Sequence, residues 1–232
     1  MKQKKTAVLI AGMLILALVS GCGGKKDTAS SGTASQAESG SQAGTSASGD
    51  LSGTDSAAAS TAQSTAEPTP AVTLTQSISS AAGDMQIQVP DGWSDLRSQL
   101  DPAGTADQDY PIQTGDYDEE SFLIINGEDK MNTSIASLQE YSDMLVQGVS
   151  ANAAFSDVKK EATADMTLSA SGFAAKKTKF IASYSGQQIA YWVYAAEGTS
   201  KYYQICCWTA DDNASNAEPK FEAVVNSFTA AG

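Results

Sequence analysis

The sequence predicts an α+β fold: an antiparallel β-sheet flanked by helices on both faces, an α/β/α sandwich, preceded by an export leader and a disordered linker. Three observations predict it. Short runs between Leu74 and Thr209 alternate with period two and are punctuated by Gly, Asn, Asp and Ser, as antiparallel strands are. Two segments, from Ser137 to about residue 151 and from Asn213 to Phe228, place apolar residues at helical spacing instead. The last strands carry bulky residues on both faces, so each face must be covered.

The chain opens with Lys2, Lys4 and Lys5, followed by the apolar run Ala7 to Leu18 and then Val19-Ser20-Gly21-Cys22. A basic start, a short apolar core and an apolar-small-small-Cys quartet make a lipoprotein signal, residues 1–21. The run is short of the roughly 20 residues a span requires, and the alternative of an uncleaved anchor ignores the cleavage quartet. Cys22 is the expected lipidation site. Its diacylglycerol and a further acyl chain such as palmitate would hold the protein on the extracytoplasmic face of the cell membrane, since two chains anchor where one is marginal.

Residues 22–72 form the expected tether. From Asp27 to Val72 the chain is nearly all Ser, Thr, Ala, Gly and Gln, closed by Glu67-Pro68-Thr69-Pro70. Such a composition cannot bury a core, and as a coil it would reach roughly 35 to 40 Å. Alanine raises the alternative of a helical stalk, but recurring Gly and Ser oppose helix propagation.

Residues 73–232 are long enough for one domain. Leu74 to Ser79 and Met85 to Val89 read as a hairpin around Ala81-Ala82-Gly83-Asp84, ended by Pro90-Asp91-Gly92. Trp93 and Leu96 follow in a short, poorly regular segment. An acid-rich loop through Asp101, Asp107 and Asp109 leads to a strand around Tyr110 to Gln113, and Ser121 to Asn126 forms the next. Ser137-Leu138-Gln139-Glu140 has capping-box spacing, with Leu138, Tyr141, Leu145 and Val149 on one helical face. Four further strands are expected, Ser156 to Thr163, Gly172 to Ser183, Gln187 to Ala195 and Lys201 to Thr209, with turns at Ser185-Gly186 and Glu197-Gly198. A last helix would carry Ala217, Phe221, Val224 and Phe228 on one face, with Pro219 in its first turn.

Composition excludes several functions. The chain contains no His, which removes Ser-His-Asp and Cys-His catalysis and the commonest zinc ligand. Loss of Lys2, Lys4 and Lys5 with the leader moves the formal charge from −13 to −16, a surface that repels nucleic acid and anionic lipid head groups and suits cations or a basic protein face. Ser156-Asp157-Val158-Lys159 has the Ser-x-x-Lys spacing of some acylases without their companion motifs. Asp116-Tyr117-Asp118-Glu119-Glu120, with Asp107 and Asp109, offers oxygen ligands for weak calcium binding but lacks EF-hand spacing. Cys206 and Cys207 are adjacent in a strand. Three readings stay open for them: two small core residues, a strained vicinal disulfide, or a soft metal site.

Val89-Pro90-Asp91-Gly92-Trp93, Ser137-Leu138-Gln139-Glu140-Tyr141, Tyr202-Tyr203-Gln204-Ile205 with Trp208-Thr209, and Asn226-Ser227-Phe228 together resemble PsbP-like domains, in order and spacing from Leu74 to Phe228. That family includes the extrinsic oxygen-evolving subunit of photosystem II, a Ran-binding nuclear import factor and bacterial lipoproteins. The resemblance implies the sheet-and-helix sandwich and a non-enzymatic role in binding or assembly, without a cofactor and with a protein as partner. The alternative reading is a lipoprotein that binds a small ligand or calcium and serves a transporter or sensor; its single lobe speaks against the solute-binding variety.

Overall fold

In the computed structural model of the chain, the described residues are 71–100 and 110–231. The expected signal, Cys22, most of the tether, and Asp101, Asp107 and Asp109 lie outside them. The first hairpin pairs β1 (Gln76–Ser79) with β2 (Met85–Val89), Ile78 opposite Ile87. Its turn is tied by Ser80, whose hydroxyl accepts from Met85 N and donates to the Asp84 carboxylate (2.7 Å).

The main sheet is antiparallel and runs β3 (Ser94–Asp95), β4 (Ile112–Asp116), β5 (Ser121–Asp129), β10 (Lys201–Ala210), β9 (Gln187–Glu197), β8 (Ala174–Tyr184), β6 (Phe155–Lys160). A further strand, β7 (Ala164–Thr167), also pairs with β8. The strand expected over Ser156 to Thr163 ends at Lys160, and β7 lies beyond that run. β6 pairs with the end of β8 and β7 with its beginning, because β8, at 11 residues, is longer than either partner. A register shift between Ser156 and Lys159 and the exposed Lys160 give this edge the irregularity and charge that discourage further pairing.

Alternation in the central strands builds two cores. Phe122, Ile124, Tyr191, Val193, Cys206 and Trp208 face the side covered by α2 (Leu138–Ala151). Leu123, Ile125, Trp192, Tyr194, Ile205 and Cys207 face the side covered by α3 (Ala214–Asn226). A four-residue helix, α1 (Arg97–Leu100), follows the fully buried Leu96.

Ser137 caps α2, its hydroxyl accepting from Glu140 N (3.2 Å), while the Glu140 carboxylate accepts from Ala136 N, one residue earlier than a regular capping box. Tyr141, Leu145 and Val149 are buried as the periodicity predicts. α3 begins at Ala214, which puts Pro219 in the second turn and not in the first as expected. Proline has no N–H to offer the Ser215 carbonyl, and Ser215 is exposed, so solvent can satisfy it.

Two features were not foreseen. β11 (Thr229–Ala230) returns after α3 to pair with β2, and β1-β2-β11 form a separate three-stranded sheet. That sheet shares with α3 the covering of the second face, so the layer there is part helix and part sheet. β4 runs to Asp116, beyond the expected Gln113, because Gly115 lets the hairpin close: a Cβ there would lie 2.4 Å from the Ser121 carbonyl oxygen.

Candidate functional site

The acidic run Asp116 to Glu120 closes the β4–β5 hairpin. The Asp116 carboxylate accepts from Asp118 N (2.8 Å) and Glu119 N (3.2 Å), an Asx-type turn. Glu119 is ion-paired with Lys220 on α3, and its carbonyl accepts from the Asn213 side chain (2.8 Å). These carboxylates serve the turn and its attachment to α3. Among the described residues no group of three or more acids or thiols is placed to hold a metal ion.

Cys206 and Cys207 are free, fully buried thiols in a regular strand, one in each core. The Gln204 amide donates to the Cys206 sulfur (3.2 Å). Burial pushes the Cys206 thiol up to about 11, opposed by the nearby Tyr191 hydroxyl and the Gln204 amide, and pushes Cys207 up well beyond the usual range. This is the geometry of core residues. Ser156 and Lys159 lie on the irregular edge strand β6, where Ser156 donates weakly to Asp157 (3.4 Å).

The most distinctive surface lies where β5 and β9 end and β10 begins. A 3-10 turn, Lys130–Asn132, follows β5 and presents Met131, 96% exposed and the one large apolar side chain left open among the described residues. The turn is well supported from behind. Tyr141 of α2 stacks on Tyr202 of β10 (centroids 4.9 Å, 18° between planes), and the Lys130 ammonium sits 4.8 Å over the outer Tyr202 ring. Lys130 also donates to Glu197 at 2.7 Å, and its backbone N–H to the Ser200 carbonyl. Glu128 stands beside the Tyr141 hydroxyl without hydrogen-bond geometry; burial raises the Glu128 carboxyl, and the nearby tyrosine opposes that. Asp84 adds a further acid, paired with Lys201 (3.3 Å). Met131 therefore projects from a braced corner in which acids outnumber lysines.

A second surface is the outer face of the three-stranded sheet, where Gln86 and Gln88 of β2 are exposed. Between it and the end of α3 runs a groove of about 410 Å³ lined by Gln86, Gln88, Ser169, Asn226, Ser227 and Thr229 over an apolar floor of Leu74, Ala170 and Ala223. A second hollow, about 310 Å³, shares Gln86 and Thr229 with the first and continues past Ser79 to Asp84.

No family model matches the chain, and no curated protein matches it. Solved structures are similar to it in fold. PsbP-like proteins stand among them. The solution structure of cyanobacterial PsbP (CyanoP) from Synechocystis sp. PCC 6803 is 14% identical, with a TM-score of 0.46 over 67% of this chain and 92% of that one. LpqN, involved in cell envelope biogenesis of Mycobacterium tuberculosis, is 14% identical, with a TM-score of 0.47 over 64% of this chain and 83% of that one. PA94 of Pseudomonas aeruginosa, a protein of unknown function, is 11% identical, with a TM-score of 0.42 over 63% of this chain and 92% of that one.

The motifs that carry the PsbP-like resemblance have structural jobs. Gly92 takes φ +89°, and a Cβ on it would lie 2.6 Å from the Asp116 carboxylate; the turn it makes delivers Trp93 edge-on to Phe221 of α3 (5.8 Å). Neither surface described above was read from the sequence. Met131 could have been noticed as an isolated apolar residue in Glu-Asp-Lys-Met-Asn-Thr, and the polar face of β2 as the other half of the Met85, Ile87, Val89 alternation.

Proposed function

We propose that the chain is a lipoprotein, held through Cys22 on the extracytoplasmic face of the cell membrane, whose PsbP-like domain is a non-enzymatic binding module for a protein partner. Both faces of the main sheet are occupied by core, which leaves recognition to the surface. The observation that carries the reading is Met131, exposed on a turn held by Tyr202, Glu197 and the Ser200 carbonyl. A polarisable apolar side chain that adapts to its partner, carried on a backbone already held in place, confines the ordering cost of binding to its own rotamers, and methionine is enriched in interface cores. The surrounding acids favour a basic partner surface with an apolar recess.

The test is site-specific photo-crosslinking in cells, with a photoreactive side chain at Met131 and a control at Gln139 on the exposed side of α2. A discrete protein adduct from Met131 and none from Gln139 is expected. The same adduct pattern from both positions, or no adduct from Met131, would overturn the assignment.

A further inference from the structure

The outer face of the three-stranded sheet is unusual in this acidic chain because its groove carries no charge. Of the side chains lining the 410 Å³ hollow, the polar ones are all amides and hydroxyls. The walls are pinned to one another: the Asn226 side-chain oxygen accepts from Ser169 N and Oγ, the Asn226 carbonyl accepts from Ala170 N, and Ser227 Oγ accepts from Gln88 N (2.8 Å). The groove is therefore a built feature joining β2, the 168–170 segment and the end of α3. Gln86 donates to Ser79 and keeps its amide oxygen as an acceptor. The Gln88 amide and the Thr229 hydroxyl make no side-chain hydrogen bond among the described residues. Together they present donors and acceptors outward over the floor of Leu74, Ala170 and Ala223.

We infer that this track binds a neutral, linear glycan of amide-bearing sugars. Both hollows are open to solvent, and their junction at Gln86 and Thr229 makes an elongated surface path suited to a chain of residues. Amides and hydroxyls can each donate and accept, which matches sugar hydroxyls and N-acetyl groups, while the alkyl floor takes the C–H face of a ring. An ionic ligand would find no counter-charge in the larger hollow. The only charged lining residue of the smaller one, Asp84, is already paired with Lys201. Met131 is no part of this lining, so the glycan test is independent of any protein partner.

The experiment is ligand-observed saturation-transfer NMR on the full-length chain in detergent micelles, with the chitin tetramer as probe and its fully deacetylated, cationic counterpart as comparison. The neutral tetramer is expected to receive saturation at its acetyl methyls and to bind better than the cationic one, although the protein is acidic. Gln88→Ala, at an exposed position, and Thr229→Ala, at a half-buried one, are expected to weaken it by about tenfold each, with unchanged circular dichroism. Raising salt is expected to leave binding of the neutral tetramer unaltered. Stronger binding of the cationic tetramer, no transfer to the neutral one, survival of transfer in both variants, or displacement by a neutral extended peptide would each overturn the inference.

Discussion

Cys206 and Cys207 are sequence neighbours whose thiols lie on opposite faces of one sheet, Cys206 packed beneath α2 and Cys207 beneath α3. Regular strand geometry separates them: successive Cβ atoms point to opposite sides, and a bridge would require β10 to leave its pairing with both β5 and β9.

Thiol titration of the folded, unreduced protein is accordingly expected to show both groups unreactive, and titration in denaturant to recover both. Changing either residue to Ala should lower stability by ~1 to 2 kcal/mol, with no dependence on reductant. Fewer than two free thiols in denaturant, in protein whose Cys22 is lipidated or replaced, would restore the vicinal disulfide.

Glycines separate sterics from backbone preference. Gly92 and Gly172 both have positive φ, but a Cβ at Gly172 meets nothing within 4 Å, whereas at Gly92 it meets Asp116. Gly172→Ala should lose about 1 kcal/mol, and Gly92→Ala should lose more by a further ~1 to 2 kcal/mol. Chemical denaturation of the two variants measures the difference, and equal losses would remove Asp116 from the account.

The edge of α3 gives a pH dependence. Burial acts to raise the Glu218 carboxyl, but hydrogen bonds from Lys177 (2.6 Å) and Lys179 (3.1 Å) together outweigh it and hold the group below the usual carboxylate range. Lys177 is likewise opposed by burial and raised by Glu218 and Glu222. A carboxyl lowered on folding adds stability at neutral pH that is lost as pH falls through about 4 and below. Glu218→Gln should therefore melt lower than the parent at pH 7, and the gap should close in acid and narrow in high salt, since the cluster is partly exposed. A gap independent of pH would show that packing, and not charge, holds this edge.

The anchor is testable without the fold. Cys22→Ala is expected to leave the protein unprocessed or to move it to the aqueous phase on detergent partitioning, and limited proteolysis of the parent should yield a core beginning near Thr73. Full membrane retention of a cleaved Cys22→Ala protein would require a second anchor, although no helix among the described residues is long and apolar enough to cross a membrane.

What the sequence determined by itself was whatever depends on neighbours a few residues apart. Strand alternation placed β2 at Met85–Val89 as read, helical spacing placed Tyr141, Leu145 and Val149 in one core, and the bulk on both faces of β9 and β10 announced two covering layers. The Val19-Ser20-Gly21-Cys22 quartet and the missing histidines are likewise local or compositional facts. Only the tertiary structure decided the rest. β11 is two residues long and exists because Ser227 and Phe228 turn the chain back onto β2; no periodicity can be read from so short a segment. β7 exists because β8 is long enough for two partners. The acids of the β4–β5 turn read from the sequence only as an oxygen-rich run, and it is the fold that sets Lys220 and Asn213, about a hundred residues away, against Glu119. The Met131 corner and the neutral track have the same origin. Each is assembled from segments far apart in the chain, and long-range packing decides which polar and apolar groups are satisfied inside and which are left facing out.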